Sequence, residues 1–255
     1  MSMSATRSAS RGRILGFRIV GFLLGVLTIG YSLFFVLTSI VSDSLDDQIH
    51  RFHNLGGLAG GSLIGVFSIV LVLRPDWLSA FHALVAQVFA WVIAGLMGGD
   101  LLSGAYFTAV IGLILLAVLH PDRASLRRLP GRPSVAMLSY ALLVTVPAWI
   151  YAVQMADLQH GPATDPHVEF HHWSGMAVAA LAIVGAAIAA SLRGEGWTVT
   201  AGIASIAAVL FGVGGLVFDG YPGAPGSGWS WVAIAAGLGF WLLSRIELGR
   251  ERMAA

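Results

Sequence analysis

The feature that most constrains this chain is a succession of apolar stretches, each about the roughly 20 residues that cross a hydrocarbon core. They fall near 14–40, 54–73, 77–98, 101–119, 134–154, 170–191, 197–218 and 229–245. Short polar breaks separate them: Arg74-Pro75-Asp76, Gly98-Gly99-Asp100, His120-Pro-Asp-Arg123, Arg193-Gly-Glu-Gly196 and a Gly/Pro/Ser-rich run from Asp219 to Gly228. Each break joins turn formers to charge, which ends a buried helix. Only 11% of residues are charged and 57% are hydrophobic, against roughly 25% charged in soluble domains. The pattern predicts an all-α, polytopic membrane protein with eight transmembrane helices. The tightest division is between the third and fourth, where a re-entrant turn would change the count.

Every basic side chain is arginine. Cytoplasmic loops carry the excess of positive charge, and with the N-terminus inside, all arginines except Arg51 fall on the cytoplasmic side. Adding or removing one helix would destroy that asymmetry, so both termini are expected in the cytoplasm. The first run is too long for a signal-peptide core and no small-x-small cleavage site follows it. The absence of cysteine excludes disulfides and thiolate chemistry, and the absence of lysine excludes a retinal Schiff base and a Gly-Lys-Ser/Thr phosphate loop. The basic segment 123–132 suits anionic lipid headgroups; nothing points to nucleic acid.

Shifting the first half by about 118 residues brings Phe52-His53 onto Phe170-His171, Gly57-Leu58-Ala59 onto Gly175-Met176-Ala177, Asp100 onto Asp219 and Arg74 beside Arg193. This predicts two tandem four-helix repeats in parallel orientation, with a symmetry axis along the membrane normal. The divisions are a basic tail at 1–13, repeat one at 14–120, a basic linker at 121–132, repeat two at 133–245 and a tail at 246–255. In the second helix Gly56 and Gly60, and Gly57, Gly61 and Gly65, recur every four residues and form a small-residue face for close helix contact. His53 and His171 stand four residues before Gly57 and Gly175, so both imidazoles are expected to face protein near the outer surface.

Under this topology His50, His53, His160, His167, His171 and His172 lie outside with Asp43, Asp46, Asp47, Asp100, Asp157, Asp165, Glu169 and Asp219. Asp46, His50 and His53 share a face if the second helix extends back. Asp165-Pro166 is a capped helix start, from which His167 and His171 are four apart. Two histidines at that spacing with a carboxylate can hold zinc or another borderline divalent metal, and an open position can activate water. The candidate ligands are therefore His53, His171, His167, His50 and His172, with Asp46, Glu169, Asp100 and Asp219 as further polar candidates. The ordinary alternative is that these side chains satisfy backbone carbonyls and carboxylates at the interface. His120 is expected to cap a helix C-terminus and His82 to be a satisfied core residue.

Mid-membrane positions hold no ionisable residue, which ranks transport of an apolar or lipid-like solute below an outer-surface role. The leading reading is a binding or assembly role at the outer His/carboxylate cluster, which a bound metal would be able to assist. A haem or zinc enzyme is the second reading. A protein partner or homo-oligomer is compatible with either, and the lipid bilayer is the one partner that composition requires.

The segments Arg51-Phe-His-Asn-Leu-Gly-Gly57 and Asp165-Pro-His-Val-Glu-Phe-His-His-Trp-Ser-Gly-Met176 resemble those of uncharacterised eight-helix integral membrane proteins from high-GC actinobacteria. The resemblance implies a bacterial cytoplasmic-membrane location and carries no activity with it. The two four-helix halves are also similar to the haem A synthases, whose histidines sit on the second, fourth, sixth and eighth helices. His53 and His171 match that pattern. The fourth helix offers only His120 at the opposite end and the eighth offers none, so haem ranks below a divalent metal.

Overall fold

A computed structural model describes residues 10–41, 50–99, 104–127 and 132–254. Among them the chain is helical with no strand: α1 (Arg11–Val41), α2 (Arg51–Leu73), α3 (Leu78–Gly98), α4 (Gly104–Leu119), α5 (Val135–Gln159), α6 (His172–Ser191), α7 (Trp197–Val217) and α8 (Gly226–Ala254). A one-turn helix, Pro166–Glu169, precedes α6, and a 3-10 turn, Ser125–Arg127, follows α4. Among the described residues, six of these helices (α1, α3, α5, α6, α7 and α8) are long and apolar enough to cross a membrane, and apolar runs also occupy Ser62–Leu73 in α2 and Phe107–Leu119 in α4. The last helix does not stop at the expected boundary near Arg245 but runs on to Ala254.

Local chemistry fixes the helix ends. Ser134 Oγ accepts from the Met137 amide at 3.2 Å and starts α5, satisfying one of the orphan donors of a first turn. Gly99 adopts φ 74° at the end of α3, the left-handed conformation that closes many helices. Pro147 lies inside α5 without ending it.

The centre of the bundle is α6. Its apolar window is 83% buried, against 17% for α1 and 22% for both α5 and α8. The sequence explains this placement: α6 is rich in alanine, with Ala177, Ala182, Ala186 and Ala190 fully buried. Lipid tails are as apolar as leucine, so helices associate in a bilayer chiefly by close packing of small residues. The outer helices instead turn large side chains such as Phe22, Leu27 and Phe34 outward. Gly65 of α2 packs against α1: a Cβ there would stand 2.8 Å from the Gly25 carbonyl, so the two backbones are in direct contact.

At the arginine-bearing end, the turns are tied together. Arg13 donates to the Pro121 carbonyl at 2.7 Å, and the buried His120 ring bridges Pro75 O and the Asp122 backbone. His120 is therefore a clamp between two turns rather than a helix cap. Arg193 pairs with Glu247 and Glu251 and joins the end of α6 to α8. The opposite end, where α2 and α6 begin and α5 and α7 finish, gathers the histidines.

Candidate metal centre

Three segments supply four imidazoles to one place. His50 caps the N-terminus of α2 and His53 occupies its first turn. His167 belongs to the one-turn helix, and His172 opens α6. Ring centroids are 4.7 Å apart for His50 and His167, 4.8 Å for His50 and His172, and 4.9 Å for His53 and His167. One ring nitrogen from each of His50, His167 and His172 lies within 4.8 Å of the others. Ligands at tetrahedral zinc, about 2.05 Å from the ion, stand roughly 3.3 Å apart, a difference that small side-chain rotations close.

The loop before α6 creates this convergence. Asp165 Oδ1 accepts from the His167 amide at 2.9 Å and from the His167 ring at 2.7 Å through Nδ1. An ionised carboxylate only accepts, so Nδ1 carries the proton and Nε2 presents its lone pair. That Nε2 is buried and meets no hydrogen-bond partner. The Asp165 carboxyl titrates below its usual value: desolvation, the largest single influence, raises it, and the hydrogen bonds from the His167 amide and ring, with the nearby His167 and His172 charges, together outweigh it. A carboxylate that orients a histidine and leaves its far nitrogen open is the usual outer support of a metal ligand.

The backbone then breaks. His171 takes φ 58° and ψ 31°, so α6 begins only at His172. His167 and His171 therefore do not share one helical face; the left-handed residue swings the chain and brings His172 into the group in place of His171. The continuous helix expected from Asp165-Pro166 is replaced by a capped turn, a kink and a new helix start. Gln159 holds the turn on α5, its amide donating to Val168 O at 2.8 Å and its oxygen accepting from the Ser174 amide at 3.4 Å.

His53 is 6% exposed. The Pro222 backbone is close enough to interact with its ring, yet neither nitrogen completes a hydrogen bond of normal geometry. Leaving a buried polar group unmade costs about 1–3 kcal/mol, so the site carries unspent ligating capacity. Trp173 is buried, stacked on His167 and edge-on to His53 with centroids 4.8 Å away in each case. Gly223, at φ 75°, closes the far side: a Cβ there would come within 2.6 Å of Trp173 and 2.9 Å of His53 Nε2. Tyr151 holds this glycine by donating to its carbonyl at 2.7 Å.

The remaining candidates are dispersed. Glu169 and Asp219 are exposed, Asp219 in the turn after α7. Asp46 and Asp100, with Asp43 and Asp47, lie outside the described residues. His160 bonds the Ala156 carbonyl at 2.8 Å through Nδ1, and His82 is partly buried within α3. Sequence reasoning did not assign Trp173, Gln159, Tyr151 or Gly223 to the site. The adjacency of His171-His172-Trp173 was the available signal for Trp173, whereas no local signal marks Gly223 or Tyr151, which come from other elements.

The bundle is membrane-like and carries a candidate histidine cluster, and in comparisons with known proteins no family model, no curated protein and no solved structure matches this chain.

Proposed function

We propose that this chain is an eight-span membrane protein that binds one divalent metal ion on its extracytoplasmic face through His50, His167 and His172, with His53 or water as fourth ligand. The carrying observation is the Asp165–His167 pair. It fixes the tautomer of one imidazole and leaves a buried, unpartnered Nε2 beside two further imidazoles. An all-imidazole set suits zinc, copper, iron or nickel. A tetrahedral ion held by three histidines keeps one position open, where a bound water is acidified, so a hydrolytic role is the natural extension of the binding role.

The duplicated architecture belongs to this reading and has support in helix adjacency. Within the first half α1 packs on α2 and α4, and α3 on α2 and α4; within the second, α5 packs on α6 and α8, and α7 on α6 and α8. Between halves α3 meets α6 as α7 meets α2, while α2–α6 and α3–α7 are self-matching contacts. These contacts support a pseudo-twofold axis with α2 and α6 beside it, while α3 also meets α5, a contact without a comparable α7–α1 counterpart among the described residues. The metal site then sits at the axis end and draws its ligands from both halves, two from the first and two from the second.

Metal analysis of the full chain purified without chelator tests the function, together with cobalt reconstitution. One metal per chain and an intense visible cobalt spectrum of tetrahedral type are expected, and both should be lost in a His167→Ala, His172→Ala double variant. Metal-free wild-type protein that also fails to take up cobalt or zinc overturns the proposal.

A further inference from the structure

Below the histidine cluster, the second half encloses an apolar cavity of about 100 Å³. It lies between α5, α6, α7 and α8, and its inner wall includes Tyr151, Ala180, Ser205, Phe211 and Phe240. An engineered apolar cavity of roughly 150 Å³ holds benzene, so this smaller space takes a short length of chain with a small polar group. It is not sealed. Ile150 on α5 and Trp229 and Val232 on α8 line it as well, and all three are more than 40% exposed on the outward side of the bundle. The mouth therefore opens sideways between α5 and α8, toward the medium that surrounds the apolar helices. A ligand entering there comes from the lipid phase.

A second observation bears on the ligand's polarity. Ser205 stands near the middle of α7 and is 4% exposed, and its buried hydroxyl meets no hydrogen-bond partner. Ser32, Ser191 and Ser230 each donate to the carbonyl one turn back, at 2.8–3.0 Å. That bond is the ordinary way to satisfy a serine within an apolar helix. Ser205 lines the cavity without making it. An unmade donor in an apolar interior is costly, and an acceptor brought in by a ligand would satisfy it.

We infer that this cavity binds a lipid-soluble carbonyl compound, with the carbonyl oxygen accepting from Ser205 Oγ and the alkyl remainder leaving between α5 and α8. Tyr151 and Phe211 form the end wall next to the histidine site. Tyr151 bonds the Gly223 carbonyl, and Phe211 packs edge-on to Phe52 at 5.9 Å. The inference stands independently of whether the histidines hold a metal.

The test uses the full chain in phosphatidylcholine nanodiscs, titrated in parallel with 2-undecanone and with the same ketone carrying carbon-13 at the carbonyl, so that the isotope difference spectrum isolates its infrared band from the lipid esters and the backbone carbonyls. Saturable binding is expected, with the bound carbonyl band moved to lower wavenumber. Ser205→Ala should return the band to its unbonded position and weaken binding several-fold. Ala233→Phe, which fills the cavity, should abolish saturable binding; Val232→Trp, an exposed substitution at the mouth, does the same job if the first variant fails to fold. Absence of saturable binding to wild type, a band unchanged by Ser205→Ala, or binding that survives blockade of both interior and mouth overturns the inference. Metal content measured on the same samples separates this result from the fate of the histidine site.

Discussion

The imidazole of His50 lies stacked on that of His167, ring centroids 4.7 Å apart and planes inclined by 26°. One residue begins α2 and the other sits in the turn before α6, so the contact joins the two halves of the chain at the histidine-bearing end. Single substitutions His50→Ala, His167→Ala and His172→Ala should each weaken zinc affinity by about 100-fold or more, since even outer-shell changes at metal sites cost 10–100-fold. His171→Asn should bind zinc as wild type does, because asparagine tolerates the left-handed backbone of that position. Competition against a chromophoric chelator measures all four. Equal losses in all four variants would mean that the site is not built as described.

Asp165 does two jobs that substitution can separate. Asparagine is as good an N-cap as aspartate, while alanine costs about 1 kcal/mol there. Asp165→Asn should thus keep thermal stability within about 0.5 kcal/mol of wild type, yet weaken zinc binding 10- to 100-fold by removing the charge that orients His167. Asp165→Ala should lose both. The carboxyl is held below its ordinary value by the His167 hydrogen bonds, so its stabilising contribution is complete above the unfolded-state pKa, about 3.9, and disappears as pH falls through the lower folded value. Wild type and Asp165→Asn should therefore converge in stability only in acid. A stability gap that stayed unchanged down to about pH 2, below the carboxylate range, would rule out the carboxylate as its source.

Gly223 is a third point of control. Its positive φ and the closeness of Trp173 and His53 leave no room for a Cβ. Gly223→Ala should destabilise the protein by about 1–3 kcal/mol through backbone strain and disturb the ring contacts of Trp173. The disturbance should appear as a shift in tryptophan emission and a fall in zinc affinity. An alanine variant with wild-type emission and affinity would mean that this turn does not wall the site.

Sequence periodicity made the helices legible because a bilayer demands long, uninterrupted apolar segments, and composition alone determines where those lie. The identity of His53, His167, His50 and His172 as a neighbourhood was legible in part, since polar residues concentrate at one set of helix ends. Their pairing was not. The choice between His171 and His172 depends on one left-handed residue, and the Phe170-His171 repeat drew attention to the histidine that the kink turns away from the shared helical face. Tryptophan favours the membrane interface by its amphipathic ring, and the packing of Trp173 against two imidazoles is a tertiary contact that no local pattern announces. The capping role of Asp165 could be read from Asp-Pro, but its bond to the His167 ring required the turn to stop after four residues.

The distribution of arginines predicts the orientation of the bundle, and the cysteine-free chain makes it directly measurable. Arg74, Arg123 and Arg193 occupy the turns at one end, while the histidine site occupies the other. Positive charge is retained on the cytoplasmic side, so the histidine end should face outward. Thr164 lies in the turn before the site and Ala124 in the turn after α4, and both are exposed. With single cysteines introduced as Thr164→Cys and Ala124→Cys, a membrane-impermeant maleimide added to intact bacterial cells should label the first and not the second. After permeabilisation both should react. Labelling of Ala124→Cys alone in intact cells would invert the topology and place the candidate metal site in the cytoplasm, where it would meet a different metal supply. Labelling of both would mean that the two turns do not lie on opposite faces, and the helix count would have to change by an odd number between them.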